Sequence, residues 1–281
     1  MTDQSPIRPI RSSLFVPGSR PRAIEKAVGL RADMLILDLE DAAGPEEKAG
    51  ARMRVPEAMA HWAECYALRA VRINAIGTGL EAEDAKAASD AEAIVVPKVE
   101  GVSDLRAARA FLPEDQPIWA MIETPLALFH LREMGEVASE LGVTGLIAGT
   151  NDLGKLLKTQ GRAPLEPYLA QIVAAARAYD LTPLDGVYNA YKDETGFLEE
   201  AQSGKAMGFA GKTLIHPSQV SGTNSAFGPS KDEFDRAKRL IAAFELPENR
   251  EKGAIPFEGT MAERLHLAEA EAILKQVEDT K

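Results

Sequence analysis

The chain carries one cysteine, Cys65. A single thiol excludes an intrachain disulfide and suits a reducing compartment, so a cytoplasmic location is expected. Cys65 sits in an apparent helix, HWAECYAL, with no activating partner nearby, and is read as helix packing rather than as a nucleophile. Long apolar runs are missing. None approaches the roughly 20 residues needed to cross a bilayer, and the polar N-terminus has no signal-peptide pattern, so no membrane partner is expected. A basic excess is missing too. The 43 acids outnumber the 32 Lys and Arg for a net charge of −11 at pH 7, which argues against nucleic acid, because phosphate neutralisation needs clustered cations. No short repeat or low-complexity tract stands out. What remains, 45% hydrophobic and 27% charged over 281 residues, is ordinary for a soluble globular enzyme with one large α/β domain or two modest ones.

The charge is unevenly spread. Within Met1–Arg31 there are six cations (Arg8, Arg11, Arg20, Arg22, Lys26 and Arg31) against two acids (Asp3 and Glu25), a net +4 that leaves −15 for the rest. A basic segment on an acidic chain suggests a local site for a small anion. On charge alone, a solvated basic helix face explains it equally well.

Short β-rich runs alternate with longer stretches rich in Ala, Leu, Glu and Lys. The predicted strands are Ser13–Val16, Met34–Asp38, Arg69–Ile73, Ala93–Val96, Ile118–Ile122, Gly145–Ala148, Asp185–Tyr188 and Thr213–Ile215. Several are almost wholly apolar, as strands covered on both faces should be. Helical patterns fill the gaps: Pro21–Leu30, Pro45–Cys65, Gly79–Ser89, Val102–Phe111, Ala127–Leu141, Leu165–Tyr179 and Thr195–Met207. Eight such alternations predict a (β/α)8 TIM barrel over residues 1–228. Residues 229–281 hold the last barrel helix, Ser230–Phe244, and a C-terminal extension. Ser221–Pro229 and Leu246–Glu258 read as loops, and Met261–Val277 as an amphipathic helix. That extension is expected to be a lid or an oligomer contact, with nothing in the sequence to choose between them.

A barrel of this kind works at the C-terminal ends of its strands. Strand two runs into Asp38, Glu40 and Asp41, strand three into Arg72 and Asn74, and strand four into Lys98. Strand five ends at Glu123, strand six at Asn151 and Asp152, and strand eight at His216; strand seven is placed as starting at Asp185. Glu123 and Asp152 are hard oxygen donors on consecutive strands with no His or Cys beside them. That pattern favours Mg²⁺, completed by water and substrate oxygens, over zinc. The alternative is two strand-end acids paired with Arg72 or Lys98. Asp38, Glu40 and Asp41 are placed to hydrogen-bond metal-bound water, while Asp41 has a competing role as cap of the helix near Pro45. Arg72 is the candidate fixed cation for developing negative charge on an enolate or carboxylate, or else an ion-pair partner of the same acids. His216 serves a structural hydrogen bond as readily as a substrate.

Seven stretches, RSSLFVPGSRP, LILDLEDA, VRIN, VVPKVE, MIETPLA, GTNDL and KTLIHPSQV, resemble in order and spacing the citrate lyase β-subunit-like family. That family includes malyl-CoA, methylmalyl-CoA and citramalyl-CoA lyases and malyl-CoA thioesterases, within the HpcH/HpaI aldolase superfamily. The resemblance runs from about Arg11 to Gln219 and more weakly beyond. It implies a Mg²⁺-dependent barrel that takes a 3-hydroxyacyl coenzyme A thioester with a distal carboxylate. Glu123 and Asp152 match the family's metal ligands, and Arg72 its substrate-binding arginine. Phe15, Arg20 and Lys26 match positions that hold the coenzyme A nucleotide and phosphates, which gives the basic segment a ligand. Asn151, Ile215 and His216 match further substrate contacts. The resemblance also implies a homotrimer or hexamer, with the C-terminal lid of one subunit closing its neighbour's site.

One stretch departs from the family. Its lid reads GKMIDxPH, with the aspartate as general acid/base; here Gly259–His266 is GTMAERLH, so Glu263 takes the aspartate's place, one methylene longer, without the following proline. The leading expectation is Mg²⁺-dependent carbon–carbon cleavage to a 2-oxo acid and an acyl-CoA, with Arg72, Glu263 and Asp41 as catalytic residues. Hydrolysis of the same thioester is the alternative. A CoA-ester-binding subunit with little activity of its own is a third reading, encouraged by the altered lid.

Overall fold

The computed structural model describes residues 9–278, so Asp3 and Arg8 of the basic segment lie outside the described residues. The chain divides into two compact units, residues 10–224 and a second that takes in residues 225–278.

The first unit is the expected barrel. Eight parallel strands close on themselves in sequence order, β1 pairing with β8. The first half runs β1 (Ser12–Pro17), α1 (Pro21–Ala27), β2 (Met34–Asp38), α2 (Lys48–Met53), α3 (Val55–His61), β3 (Leu68–Arg72), α4 (Glu81–Ala87), β4 (Ala93–Val96) and α5 (Val102–Phe111). The second runs β5 (Ile118–Ile122), α6 (Pro125–Phe129), α7 (Leu131–Glu136), β6 (Val143–Ala148), α8 (Thr150–Leu157), α9 (Glu166–Ala178), β7 (Thr182–Asp185), α10 (Glu194–Met207), β8 (Gly211–Leu214) and α11 (Gln219–Phe227), whose last three residues are counted with the second unit.

A strand alternates its side chains between two faces, so one parity of each strand fills the barrel and the other meets the helices. The interior cluster shows which parity turns inward: Met34 and Ile36, Ala70, Ala93 and Val95, Trp119 and Met121, Ile147, and Leu184. Trp119 is the largest of these, and it is accommodated because its neighbour on β6 is Gly145, where a Cβ would overlap the indole ring. Continued by one step toward the C-terminal end, the same parity reaches Asp38, Arg72 and Glu123.

Several boundaries differ from the sequence pattern. Strand β7 ends, rather than begins, at Asp185. The strand includes Pro183, whose carbonyl accepts from Ala210 N at 2.9 Å, and it tolerates the missing donor. Pro45–Cys65 is two helices, the second opening with Pro56 in its first turn. Ala127–Leu141 breaks likewise at His130, between α6 and α7. Ser221–Pro229, expected as a loop, is mostly α11; its Gly, Ser and Asn content hid a helix that follows β8 directly. Thr223 stays helical with its hydroxyl turned back to Gln219 O at 2.8 Å.

The second unit holds α12 (Lys231–Glu245), an antiparallel pair of strands, β9 (Ala254–Phe257) and β10 (Thr260–Glu263), and α13 (Arg264–Glu278). Ser230 starts α12 with a capping box to Glu233. Ala237, Leu240 and Phe244 of α12 pack against Ile255, Ala262 and Ala270, so α12 belongs to this core. Residues 261–263, expected to open a helix, are strand instead. No helix among the described residues is long and apolar enough to cross a membrane.

Candidate active site

The inward parity delivers Asp38, Arg72 and Glu123 to the C-terminal mouth of the barrel, where a cavity of about 310 Å³ opens. Arg72 is the fixed point. Its Nε and Nη2 each donate to one Asp38 oxygen at 2.7 Å, a bidentate fork that only arginine makes. Its Nη1 stands 3.2 Å from Glu40 and 3.6 Å from Asp41, and the Phe15 ring lies under the guanidinium at 4.7 Å. Burial acts to lower the Arg72 pKa, but Asp38, then Glu40 and Asp41, outweigh it and hold the side chain charged. Asp38 in turn accepts the backbone N–H of Glu40 at 2.9 Å and of Ala42 at 3.0 Å. It is therefore a brace for Arg72 and the β2–α2 loop, with its oxygens already taken, and not the water-facing acid expected from sequence.

Glu123 is 3% exposed. Its Oε1 accepts the backbone N–H of Lys98 at 2.7 Å. Burial pushes its pKa up to about 7; Lys98 N–H and Arg72 oppose that rise, and the nearby Glu40 and Asp152 add to it. The residue against it is Gly149, where a Cβ would overlap the Glu123 side chain. Asp152 sits in the first turn of α8, where a helix N-terminus favours an acid. Its side chain is 31% exposed. Glu123 and Asp152 thus line one cavity, as the sequence led us to expect. Neither pairs with Arg72.

Lys98 supplies what sequence reasoning left out. The sequence placed this residue at the end of strand four and as an ion-pair partner for Glu123 or Asp152, with no role for its backbone. In the structure its backbone is left-handed, φ 52°, a conformation that a residue with a Cβ rarely adopts. Its N–H braces Glu123, while its ammonium pairs with Glu40 and stands 3.8 Å from Asp41 and 3.9 Å from Asp152. Burial tends to lower its pKa, and Glu40 followed by Asp41 and Glu123 raises it overall. Glu40, 6% exposed, is pushed up by burial against the pull of Arg72 and Lys98. The VVPKVE stretch marked the position; its backbone conformation had no signal in the sequence.

The other expected residues divide. Phe15, Asp41, Asn151 and Ile215 line the cavity with Arg72, Glu123 and Asp152. Asn151 exchanges amide hydrogen bonds with Asn189 at 2.6 and 3.3 Å, which fixes it at the rim. Asp41 does not cap a helix: α2 starts only at Lys48, without a side-chain cap, and the Asp41 side chain is 61% exposed. His216 is outside the cavity lining, stacked on Tyr191 at 4.4 Å with Nδ1 2.8 Å from Ser218 Oγ. Arg20 and Lys26 are exposed, one at the N-cap of α1 and the other in its last turn, and make no ion pair among the described residues. Glu263 closes β10 in the second unit; it is exposed, and its N–H donates to His266 Nδ1 at 2.9 Å. Asp185, expected near the chemistry, is committed elsewhere: Lys212 donates to it at 2.9 Å and to Glu200 at 2.7 Å, and Arg162 completes the buried cluster at 3.0 Å.

Among the described residues no group of three or more His, Cys, Asp or Glu is arranged to cage a metal. Two carboxylates facing one cavity suit a small hard cation that keeps several waters or substrate oxygens.

Comparison with known proteins decides the family. Residues 11–217 match the HpcH/HpaI aldolase/citrate lyase family. The chain belongs to it. Within the HpcH/HpaI aldolase/citrate lyase family, a (3S)-malyl-CoA thioesterase of Cereibacter sphaeroides is 42% identical over 96% of this chain and 95% of its own. An L-malyl-CoA/β-methylmalyl-CoA lyase of the same species is 30% identical, covering 97% and 96%. The CitE protein of Mycobacterium tuberculosis, solved with magnesium, acetoacetate and coenzyme A, superposes with a TM-score of 0.78 at 29% identity, covering 95% of this chain and 98% of that one. The two Cereibacter sphaeroides relatives are a thioesterase and a lyase, which supports an enzyme.

Proposed function

We propose that the protein hydrolyses a malyl-CoA-type thioester, a 3-hydroxyacyl-CoA with a distal carboxylate, with Mg²⁺ held by Glu123 and Asp152. The observation that carries this reading is the 42% identity to (3S)-malyl-CoA thioesterase along nearly the whole chain, against 30% to the lyase. Cleavage, placed first from sequence, becomes the second reading. Arg72 favours it, as a buried, permanently charged group at the cavity wall suited to an enolate.

The fit to magnesium rests on the donor set: two oxygen acids on one cavity, one of them ordered by Lys98 N–H. A bound Mg²⁺ supplies charge that orients the substrate's carboxylate and hydroxyl oxygens. The chain's own residues do the rest. Arg20 and Lys26, cationic and unpaired among the described residues, attract the coenzyme A phosphates. Phe15 and Ile215 supply apolar wall for the acyl arm, and Asn151 a polar contact for it. Arg72 faces the oxygen that gains charge as water adds to the thioester carbon and the C–S bond breaks. Asp41, at the edge of the cavity, takes a proton from that water. Glu263, contributed by the lid of a neighbouring copy in a homo-oligomer, gives a proton to the departing thiolate, and both carboxyl groups return to their starting states by exchange with solvent. A cytoplasmic, membrane-free setting suits such a substrate.

The test is incubation with malyl-CoA and citramalyl-CoA plus Mg²⁺, with products read by mass spectrometry. Free hydroxy acid and CoA are expected. Glyoxylate or pyruvate with an acyl-CoA selects cleavage instead, and tight binding without turnover selects a binding subunit. Full activity of Glu123→Ala or Asp152→Ala removes the metal assignment.

A further inference from the structure

We propose that Lys98 is a resident counter-cation of this centre, holding its carboxylates together without metal and competing with an entering metal ion for Asp152. The inference rests on the reading of Glu123 and Asp152 as metal ligands and extends it to a residue that reading does not use.

Charge makes the case first. Five carboxylates converge on the mouth of the barrel, Asp38, Glu40, Asp41, Glu123 and Asp152, and the cations paired with them are Arg72 and Lys98. Arg72 is committed through its fork to Asp38. Lys48, nearby in sequence, gives its ammonium to the carbonyls of Leu39 and Glu40 and to Asn74. Lys98 is thus the cation that reaches Asp152, and from the end of β4 it spans acids of two other parts of the barrel, after β2 and at the start of α8.

Geometry makes the case second. Lys98 ties its amide to Glu123 at 2.7 Å and its ammonium to Glu40 from one left-handed residue. The backbone strain fits a position where function over-determines conformation. The contact to Asp152, at 3.9 Å, is long for a hydrogen bond, and the Lys98 side chain is 38% exposed. An ammonium on a flexible stem can therefore yield Asp152 without losing Glu40. Glu40 Oε2, buried and accepting no hydrogen bond, keeps Arg72 Nη1 as its cation at 3.2 Å, while the Lys98 ammonium takes the other oxygen.

The experiment compares Lys98→Met, Lys98→Gly and Lys98→Arg with the unaltered protein, measuring Mg²⁺ affinity by calorimetry, Mn²⁺ affinity by electron paramagnetic resonance, and melting temperature in EDTA and in saturating Mg²⁺. Glycine relieves the left-handed strain and keeps the amide on Glu123, so it remains informative if the methionine variant folds poorly. Loss of one positive charge near the ligand set should tighten metal binding by on the order of tenfold in the Met and Gly variants. Both should melt lower in EDTA and recover in Mg²⁺, while Lys98→Arg stays near the unaltered protein. Unchanged or weakened metal affinity in the Met and Gly variants, with binding still lost in Glu123→Ala, overturns the role of Lys98 and leaves the metal site standing. Absence of metal binding in the unaltered protein overturns both.

Discussion

At Glu123, burial and charge oppose one another. Inside the barrel mouth, Lys98 N–H and Arg72 favour the carboxylate, yet desolvation outweighs them and the pKa rises to about 7. For an acid that is a cost at neutral pH. Between the ordinary glutamate value and about 7, the metal-free folded protein keeps a proton that the unfolded chain has already released. Stability therefore falls as pH rises through that window, by at most about 3 kcal/mol. Glu123→Gln removes the titration. In EDTA, chemical denaturation of this variant should show a stability gain over the unaltered protein at pH 8 that shrinks toward pH 5. Equal differences at both pH values would contradict the assigned burial. Candidate ligands were readable here because the apolar run IWAMI carries its acid to the C-terminal end of a strand, where a barrel of this kind opens its cavity. The brace on Glu123 was not readable, because a left-handed lysine looks like any other lysine in sequence.

The element that sets the site's geometry is the turn from β6 into α8. Gly149 lets the backbone pass against Glu123, and three residues later the helix presents Asp152. Gly149→Ala adds one methyl group where there is no room, so either Glu123 or the start of α8 must move. Circular dichroism should show the barrel intact, while turnover drops on the order of 10²-fold for a displacement near 1 Å. Normal turnover would show that the two acids need no fixed spacing. Elements were legible where period and punctuation agreed, as in Met34–Asp38 and Ile118–Ile122. They were misplaced where composition spoke against the fold. Pro183 lies inside β7, and the middle of α11 carries Ser, Gly, Thr and Asn that favour turns on their own. Barrel closure supplies the neighbours that overrule those local preferences.

Across the whole molecule, charge is unevenly spread. The chain carries −11, yet Arg20, Arg22 and Lys26 cluster around α1, exposed and without ion pairs among the described residues. A polyphosphate substrate drawn to such a patch should feel salt strongly. The KM for a coenzyme A thioester is expected to rise several-fold as ionic strength goes from low to about 0.5 M. Arg20→Glu with Lys26→Glu should raise KM on the order of tenfold at low salt and flatten the salt dependence, with kcat nearly unchanged. A salt-independent KM in the unaltered protein would place the nucleotide elsewhere.

By itself, the sequence determined the (β/α)8 barrel, because eight buried parallel strands separated by helices leave few other closed arrangements. It also determined the pair of hard acids, because strand ends in such a barrel converge. Its motifs, taken in order, pointed to the family. Tertiary structure decided which acids are free to bind and which are already occupied. Asp38 is consumed by Arg72, and Asp185 by Lys212 and Arg162. It also decided that Lys98 joins the centre through both its backbone and its side chain. Those outcomes depend on distances between residues far apart in the chain, and no local pattern encodes a distance that only closure of the barrel creates.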